Sequence, residues 1–316
     1  MERNHLVIIN KHSFYNGKTR MFSVISEFEN TFKSFNIDKY EIKLSKKPRH
    51  ALSLIHTYVD NLSEERIVRV YAVGGDGILF DCLNGIMGLP NMELAAVPYG
   101  KTNDYVRSFG ESNEHSFKSI PEQIIAGTIP VDVINYRANY ALNFCCIGVE
   151  TVTYMIAQRF LKKLGVLRKF LARFCHLAVG LFVTLSKTDI TNQFYEVNID
   201  DKVFCKNFSV IHIANGSRYG GKFSVVTDAK TTDGLLDVIT GESLKGIKYI
   251  IMLNDYLHGK YFKHSGFSLY CAKTIKINSE SPLYIMLDGE VFTDTEAVIK
   301  IMPKAVNFVN VRGLTA

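Results

Sequence analysis

The chain predicts an α/β domain built on a parallel sheet, followed by a mainly antiparallel β-sandwich domain, and three observations carry this. Up to about residue 128, short apolar runs alternate with helix-periodic stretches, as in a parallel sheet covered on both faces. From Ile129 on, the apolar runs come in pairs around short polar turns, the pattern of antiparallel hairpins. The length of 316 residues exceeds what one core usually holds. The expected division is 1–128 and 129–303, crossing at Gly127-Thr128-Ile129-Pro130, with the tail 304–316 packing back on the first domain.

In the first half, residues 6–10 form a strand followed by a helix through 21–33, and 40–44 a strand followed by a helix through 49–59. Residues 67–73 form the third strand and 94–97 the fourth, with a helix starting near Asn103. Between the third strand and its helix lies Gly74-Gly75-Asp76-Gly77. Three glycines in four positions let the backbone approach a ligand closely, and the following helix points unpaired N–H groups at the same spot. Asp76 would repel a bare phosphate, so it argues for a cation between them, most simply magnesium carried by a nucleotide. A tight strand-to-helix turn without a ligand is the plain alternative. The segment from Pro98 to Asp104 sits at the carboxyl end of the next strand, where ligands bind in such sheets, so one site could use both loops.

Gly17-Lys18-Thr19 and Gly100-Lys101-Thr102 imitate the end of a phosphate-binding P-loop, but His12 and Ala95 stand where its first glycine belongs. Phe80 likewise breaks a dinucleotide-binding G-x-G-x-x-G.

In the second half, 131–136 with 140–147 and 194–199 with 202–214 read as hairpins. Strands at 234–240, 268–270, 274–277, 283–287 and 297–302 follow, with a short helix near 244–256. Asp233-Gly234-Leu235-Leu236-Asp237 offers carboxylates and turn carbonyls, the hard oxygens magnesium prefers, although an Asp-Gly pair by itself marks a turn. Asp288-Gly289-Glu290 puts two carboxylates around a bend, one able to hold metal while the other accepts a hydroxyl proton.

The net charge of +6 is local. No acid occurs between Thr151 and Thr188, while Arg159, Lys162, Lys163, Arg168, Lys169, Arg173 and Lys187 do. Apolar residues recur there every three or four positions, from Phe160 to Leu185, marking a basic amphipathic helix. The 159–173 face suits peripheral contact with an anionic membrane; a core-packing helix with a solvated basic side is the alternative. Nucleic acid is not expected, because stacking aromatics and a reader motif are missing. The six cysteines form no C-x-x-C pair and read as buried thiols in a reducing compartment, with no zinc site expected. The start of the chain is too short for a signal segment before its first strand, and no run of eighteen apolar residues occurs. A cytoplasmic protein, peripheral at the membrane inner face, is the resulting expectation.

Taken in order, several segments carry a resemblance. They are Gly74-Gly75-Asp76-Gly77 with Asn84-Gly85, then Pro98-x-Gly100-x-x-Asn103-Asp104-Tyr105-x-Arg107-Ser108-x-Gly110, then Asn215-Gly216 through Gly220-Gly221, Asp233-Gly234-Leu235-Leu236-Asp237 and Asp288-Gly289-Glu290. This series resembles the diacylglycerol kinase catalytic family, in particular its bacterial soluble lipid kinases. The resemblance spans nearly the whole chain. It implies a nucleotide-binding α/β domain and a β-sandwich lipid-substrate domain with ATP in the cleft between them. In-line transfer of the γ-phosphoryl group to a lipid hydroxyl, most simply that of diacylglycerol, is the implied reaction.

The implied catalytic residues are Glu290, as proton acceptor, and Asp288. ATP contacts fall on Ser45, Gly74, Gly75, Asp76, Gly77, Ile78, Asn103 and Asp104, and a structural Mg2+ falls on Asp233 with the carbonyls of Lys230 and Leu235. A homodimer is left open. The chain departs from the family pattern at Ile78, where Thr is usual, at Phe80 and Asp81, where Asn-Glu is usual, and at Lys101-Thr102 in the second loop. These departures bear on nucleotide affinity. Other readings stay open: a sphingoid-base or other lipid kinase, an NAD-kinase-like enzyme acting on a soluble acceptor, or a non-catalytic lipid-binding protein derived from a kinase.

Overall fold

The computed structural model describes residues 3–14, 18–62, 66–164, 175, 178–180, 182–183, 193–221, 223–242 and 255–313. The first lobe runs β1 (Arg3–Asn10), α1 (Lys18–Ser34), β2 (Tyr40–Ser45), α2 (His50–Asp60), β3 (Ile67–Gly74), α3 (Asp76–Ile86), β4 (Met92–Pro98), α4 (Asp104–Ser108) and α5 (Ile120–Ile125). β1 lies between β2 and β3, β4 lies beyond β3, and all three pairs are parallel. Side chains alternate between two cores. Leu6, Ile8, Val70 and Ala72 pack with Ile55, Leu79 and Leu83 on one face. Val7, Ile9, Tyr71 and Val73 pack with Val24, Phe28 and Ile124 on the other. Burial on both faces explains why these strands read as nearly unbroken apolar runs.

The second lobe contains β5 (Thr128–Tyr136), β6 (Asn139–Ala141), β7 (Phe144–Gly148), α6 (Val149–Lys163), β8 (Phe194–Ile199), β9 (Lys202–Ala214), β10 (Leu236–Glu242), β11 (Phe267–Ala272), β12 (Thr274–Leu287) and β13 (Glu290–Val309). Every pairing among these strands is antiparallel. β9 pairs β8 with its first half and β7 with its second, and β12 divides itself between the same two strands. Their inner faces enclose one core, with Ile147, Val197, Ile211, Ile277 and Ile285 among its members.

Three features differ from the sequence reading. The two short strands expected at 274–277 and 283–287 are one strand, β12, interrupted by an irregularity at 278–283. Pro282, which has no N–H to donate, falls in that irregularity. The strand expected at 297–302 is the middle of a 20-residue β13. β13 pairs β12, then β5, and finally runs parallel to β4 at Asn307 and Phe308. The parallel sheet of the first lobe therefore does not end as a separate sheet, because hydrogen bonding continues through β13 into the antiparallel strands.

α6 contains the start of the expected basic helix, with Arg159, Lys162 and Lys163 exposed and Phe160 55% exposed. The rest of that helix, from 165 to 173, and most of the helix expected near 244–256 lie outside the described residues. Among the described residues, no helix is long and apolar enough to cross a membrane.

Candidate active site

The two glycine loops touch backbone to backbone at the carboxyl ends of β3 and β4. A Cβ added to Gly100 would lie 2.2 Å from Gly75 Cα, and one on Gly75 would lie 2.9 Å from the Thr102 carbonyl oxygen. Only glycine permits that approach. The Gly74 carbonyl accepts the N–H groups of Tyr99 (2.8 Å) and Gly100 (2.9 Å), and the Asp76 N–H donates to Thr102 O (3.3 Å). Gly75 heads α3 without a side-chain cap, and a Cβ on Gly77 would meet nothing within 4 Å. Open space therefore lies beside Gly77 in the first turn of α3, which suits an anion at the helix start, while the N–H groups of Asp76 and Ile78 are engaged by Thr102 O and Gly75 O.

Buried carboxylates gather around this helix start. Asp76 Oδ2 accepts the Asp104 N–H (3.1 Å), and Asp104 Oδ1 accepts the Gly221 N–H (2.7 Å). Burial raises the Asp76 carboxyl above its ordinary range; burial and then the charge of Asp76 do the same to Asp104.

Asp288 and Gly289, both at positive φ (46° and 93°), form the two-residue turn between β12 and β13. This is the hairpin geometry that Asp-Gly favours. The Asp288 carboxylate turns inward and accepts the N–H groups of Leu142 (2.8 Å), Asn143 (3.2 Å) and Phe144 (2.8 Å). Burial pushes it up to about 7; the Phe144 and Leu142 N–H groups oppose this, and the Asp76 charge adds to it. Both Asp288 oxygens are therefore engaged by the backbone, which holds the 142–144 segment against the turn.

Glu290 opens β13 and is exposed. Asp81, on α3, is pushed up to about 6 by burial, opposed by the Arg49 N–H that it accepts at 2.8 Å, with the Glu290 charge adding a smaller push. Glu290 thus stands within electrostatic reach of α3, as Asp288 stands within reach of Asp76.

The other sequence-predicted residues are placed as follows. Asn103 is buried, and its amide donates to Gly100 O (3.3 Å) and Glu114 Oε1 (3.1 Å). Its Oδ1 has no partner among the described residues and would lie 3.0 Å from a Gly100 Cβ. Ile78 is buried against Gly74. Ser45 ends β2 opposite Asn10, and its buried hydroxyl donates to Lys47 O (3.3 Å). Lys230 and Asp233 are exposed and Leu235 is half-buried, in a turn apart from the glycine loops. Asp233 Oδ1 accepts the Leu235 N–H (3.0 Å), and the buried Asp132 ties this turn down by accepting the Gly234 N–H (2.6 Å) and the Lys304 N–H (2.8 Å).

Sequence reasoning did not select Asn10, Ser13, Arg49 or Asp132, and it named Arg107 only as part of the motif series. Asn10 and Ser13 wall Gly74, and Arg107 bonds Glu114 (2.9 Å) and the Gly221 carbonyl. Arg49 lies over the Phe80 ring at 4.9 Å and donates to Asn139 (3.0 Å). Phe80 itself belongs to the core of the second lobe, so the aromatic ring in place of the family's usual polar residue packs the two lobes together.

The donor set suits a nucleotide carried with Mg2+. An open helix N-terminus faces the phosphate position, mutually repelling acids surround it, and an unpartnered Asn103 oxygen adjoins it. The Asp233 turn offers hard oxygens that suit a second, structural Mg2+.

Residues 4–136 match the sequence profile of the diacylglycerol kinase catalytic domain, and residues 169–310 that of the YegS C-terminal NAD kinase beta sandwich-like domain. A protein of Staphylococcus aureus (strain Newman) named "Putative lipid kinase" is 24% identical over 249 residues, covering 78% of each chain. Two crystal structures from Bacillus anthracis str. Sterne, titled as a diacylglycerol kinase and a "putative diacylglycerol kinase", superpose with TM-scores of 0.69 and 0.72. They cover 99% of this chain and 98% of those, at 20% and 21% identity, a likeness of fold.

Proposed function

Because the chain belongs to the diacylglycerol kinase catalytic-domain family, of the bacterial lipid kinase type, we propose that it transfers the γ-phosphoryl group of ATP to a lipid hydroxyl, with diacylglycerol as acceptor and phosphatidic acid as product. The observation that carries this reading is the meeting of two glycine loops, an uncapped helix N-terminus and the Asp288-Gly289-Glu290 turn at one place.

In this reading the N–H groups of Gly75 and Gly77, beside Ile78, receive the phosphates, and Asn103 accepts a hydroxyl of the nucleotide. Asp76 and Asp104 would hold Mg2+, which supplies neutralisation of the triphosphate charge. Glu290 takes the proton of the lipid hydroxyl as its oxygen attacks the γ-phosphorus and ADP leaves. Asp288 positions the turn that carries Glu290. Asp233, with the carbonyls of Lys230 and Leu235, would hold the structural Mg2+. Residues 1–128 with the returning tail form the nucleotide lobe, and 129–303 form the lipid lobe. The exposed Phe160, Arg159, Lys162 and Lys163 on α6 touch an anionic bilayer, which places the protein at the inner face of the membrane.

The test is labelled ATP offered with diacylglycerol, sphingoid bases and NAD in mixed micelles, followed by chromatography. Label in phosphatidic acid is the expected result. Label in phosphorylated NAD alone, or in no product from folded protein, contradicts the reading.

A further inference from the structure

Besides the carboxylates of the proposed kinase site, three side chains with metal-binding atoms converge inside the second lobe. Cys146 on β7 and His212 on β9 stand directly opposite each other across the antiparallel pair. Glu150 lies in the first turn of α6, which leaves β7 at Gly148. The Cys146 Sγ is 3.0 Å from His212 Nδ1, and the same Nδ1 is 3.3 Å from Glu150 Oε2. All three ligand atoms lie within 4.8 Å of one another, and all three residues are buried. The imidazole is fixed by a stacked Phe144 ring (5.9 Å, 13°) and a perpendicular Tyr219 ring (5.3 Å, 88°).

One imidazole nitrogen faces both the sulfur and the carboxylate, and it carries either a single proton or a lone pair. With a proton it can donate to Glu150 while the thiol keeps its own; with a lone pair it can take the thiol proton and then faces the carboxylate oxygen. Glu150 Oε1 and the Tyr256 hydroxyl are both buried without a hydrogen bond of normal geometry among the described residues, although the two side chains lie close enough to interact. That phenol is raised by burial first and then by the Glu150 charge. A buried carboxylate in such surroundings calls for a cation.

We propose that Cys146, Glu150 and His212 form a zinc site. A thiolate, an imidazole and a carboxylate are the zinc donor set, and the sulfur disfavours Mg2+. Zinc bonds of about 2.3 Å to sulfur and about 2.0–2.2 Å to nitrogen and oxygen, at tetrahedral angles, put ligand atoms about 3.4–3.6 Å apart. To reach that spacing the Cys146–His212 pair, now at 3.0 Å, opens by about half an ångström and the His212–Glu150 pair, at 3.3 Å, by about a tenth or two. The ion would fasten the base of α6, the helix bearing the exposed basic residues, to β7 and β9. The proposal departs from the expectation of no zinc site, which rested on the missing C-x-x-C pair. These ligands meet through strand register across 66 residues and not through sequence spacing.

The test uses the full chain, freed of any affinity tag and purified without chelators. Elemental analysis is expected to find about one zinc per chain. Cobalt(II) added to the metal-free protein is expected to give thiolate-to-cobalt charge-transfer absorption. Cys146→Ser and His212→Gln should each weaken binding at least tenfold, whereas replacing the exposed Cys205 and Cys271 with Ser together should change neither reading. The wild type with only trace zinc and no cobalt–thiolate band overturns the site. So does loss of both signals in the Cys205/Cys271 double variant. If Cys146→Ser does not fold, the wild-type and double-variant readings still decide. None of these readings depends on kinase activity.

Discussion

Asp288 and Glu290 are two residues apart and do different things. Asp288 spends both oxygens on three backbone N–H groups, while Glu290 keeps its carboxylate in solvent. Glu290→Gln preserves shape and removes the proton acceptor. It is therefore expected to lower kcat by about 10²–10⁴ while the melting temperature and ATP-induced stabilisation stay unchanged; full turnover in that variant removes Glu290 from its role. Asp288 shows its environment through pH. Its carboxyl ionises near 7 in the folded protein against 3.8 ordinarily, so the folded state holds the proton more tightly. The stability this adds is complete below a pH of about 4 and is lost as pH rises through about 7. Asp288→Asn lacks that loss. In magnesium-free buffer the stability gap between wild type and variant, read from urea midpoints, should narrow from pH of about 5 to about 8. A gap that widens contradicts the buried-carboxylate account.

At the level of elements, β3 shows what an apolar pattern hides. Its sequence reads as a simple buried strand, yet Arg69 within it is fully buried. The guanidinium bonds Glu93 on β4 (2.6 Å) and the carbonyls of Gln123 (2.6 Å), Ile124 (3.0 Å) and Ala126 (3.0 Å) at the end of α5. It thereby satisfies the orphan carbonyls of that helix and fastens it to the sheet. Arg69→Met should cost about 3–5 kcal/mol, because the buried Glu93 loses this partner and the helix end loses its donors. Chemical denaturation measures this, and a loss below 1 kcal/mol contradicts it. The strands of the first lobe were legible because burial on both faces leaves little but Val, Ile, Leu and Ala in them. β13 was legible only in its centre, since its first half carries the exposed Thr293, Thr295 and Glu296 and the half-buried Asp294. The turn at Asp288 was legible as a turn; its inward carboxylate was not, because the Leu142–Phe144 N–H groups come from 146 to 144 positions away.

For the whole molecule, β13 is the element that makes two lobes one sheet, and the proposed reaction centre sits where it begins. The glycine loops come from β3 and β4, the proposed proton acceptor from the start of β13, and the segment fixing its turn from the approach to β7. The glycine loops could be read from local sequence, since a strand, three glycines and a helix specify their own geometry. The contact between them could not, nor could the packing of Phe80 into the second-lobe core, because each depends on how separate elements dock. The central claim is that a triphosphate lies between the α3 N-terminus and Glu290. A crystal structure with Mg2+ and a non-hydrolysable ATP analogue tests it most directly. The γ-phosphate is expected over Gly75 and Gly77, with Glu290 on its open side; a nucleotide seated elsewhere, with the 74–77 loop bare, contradicts it.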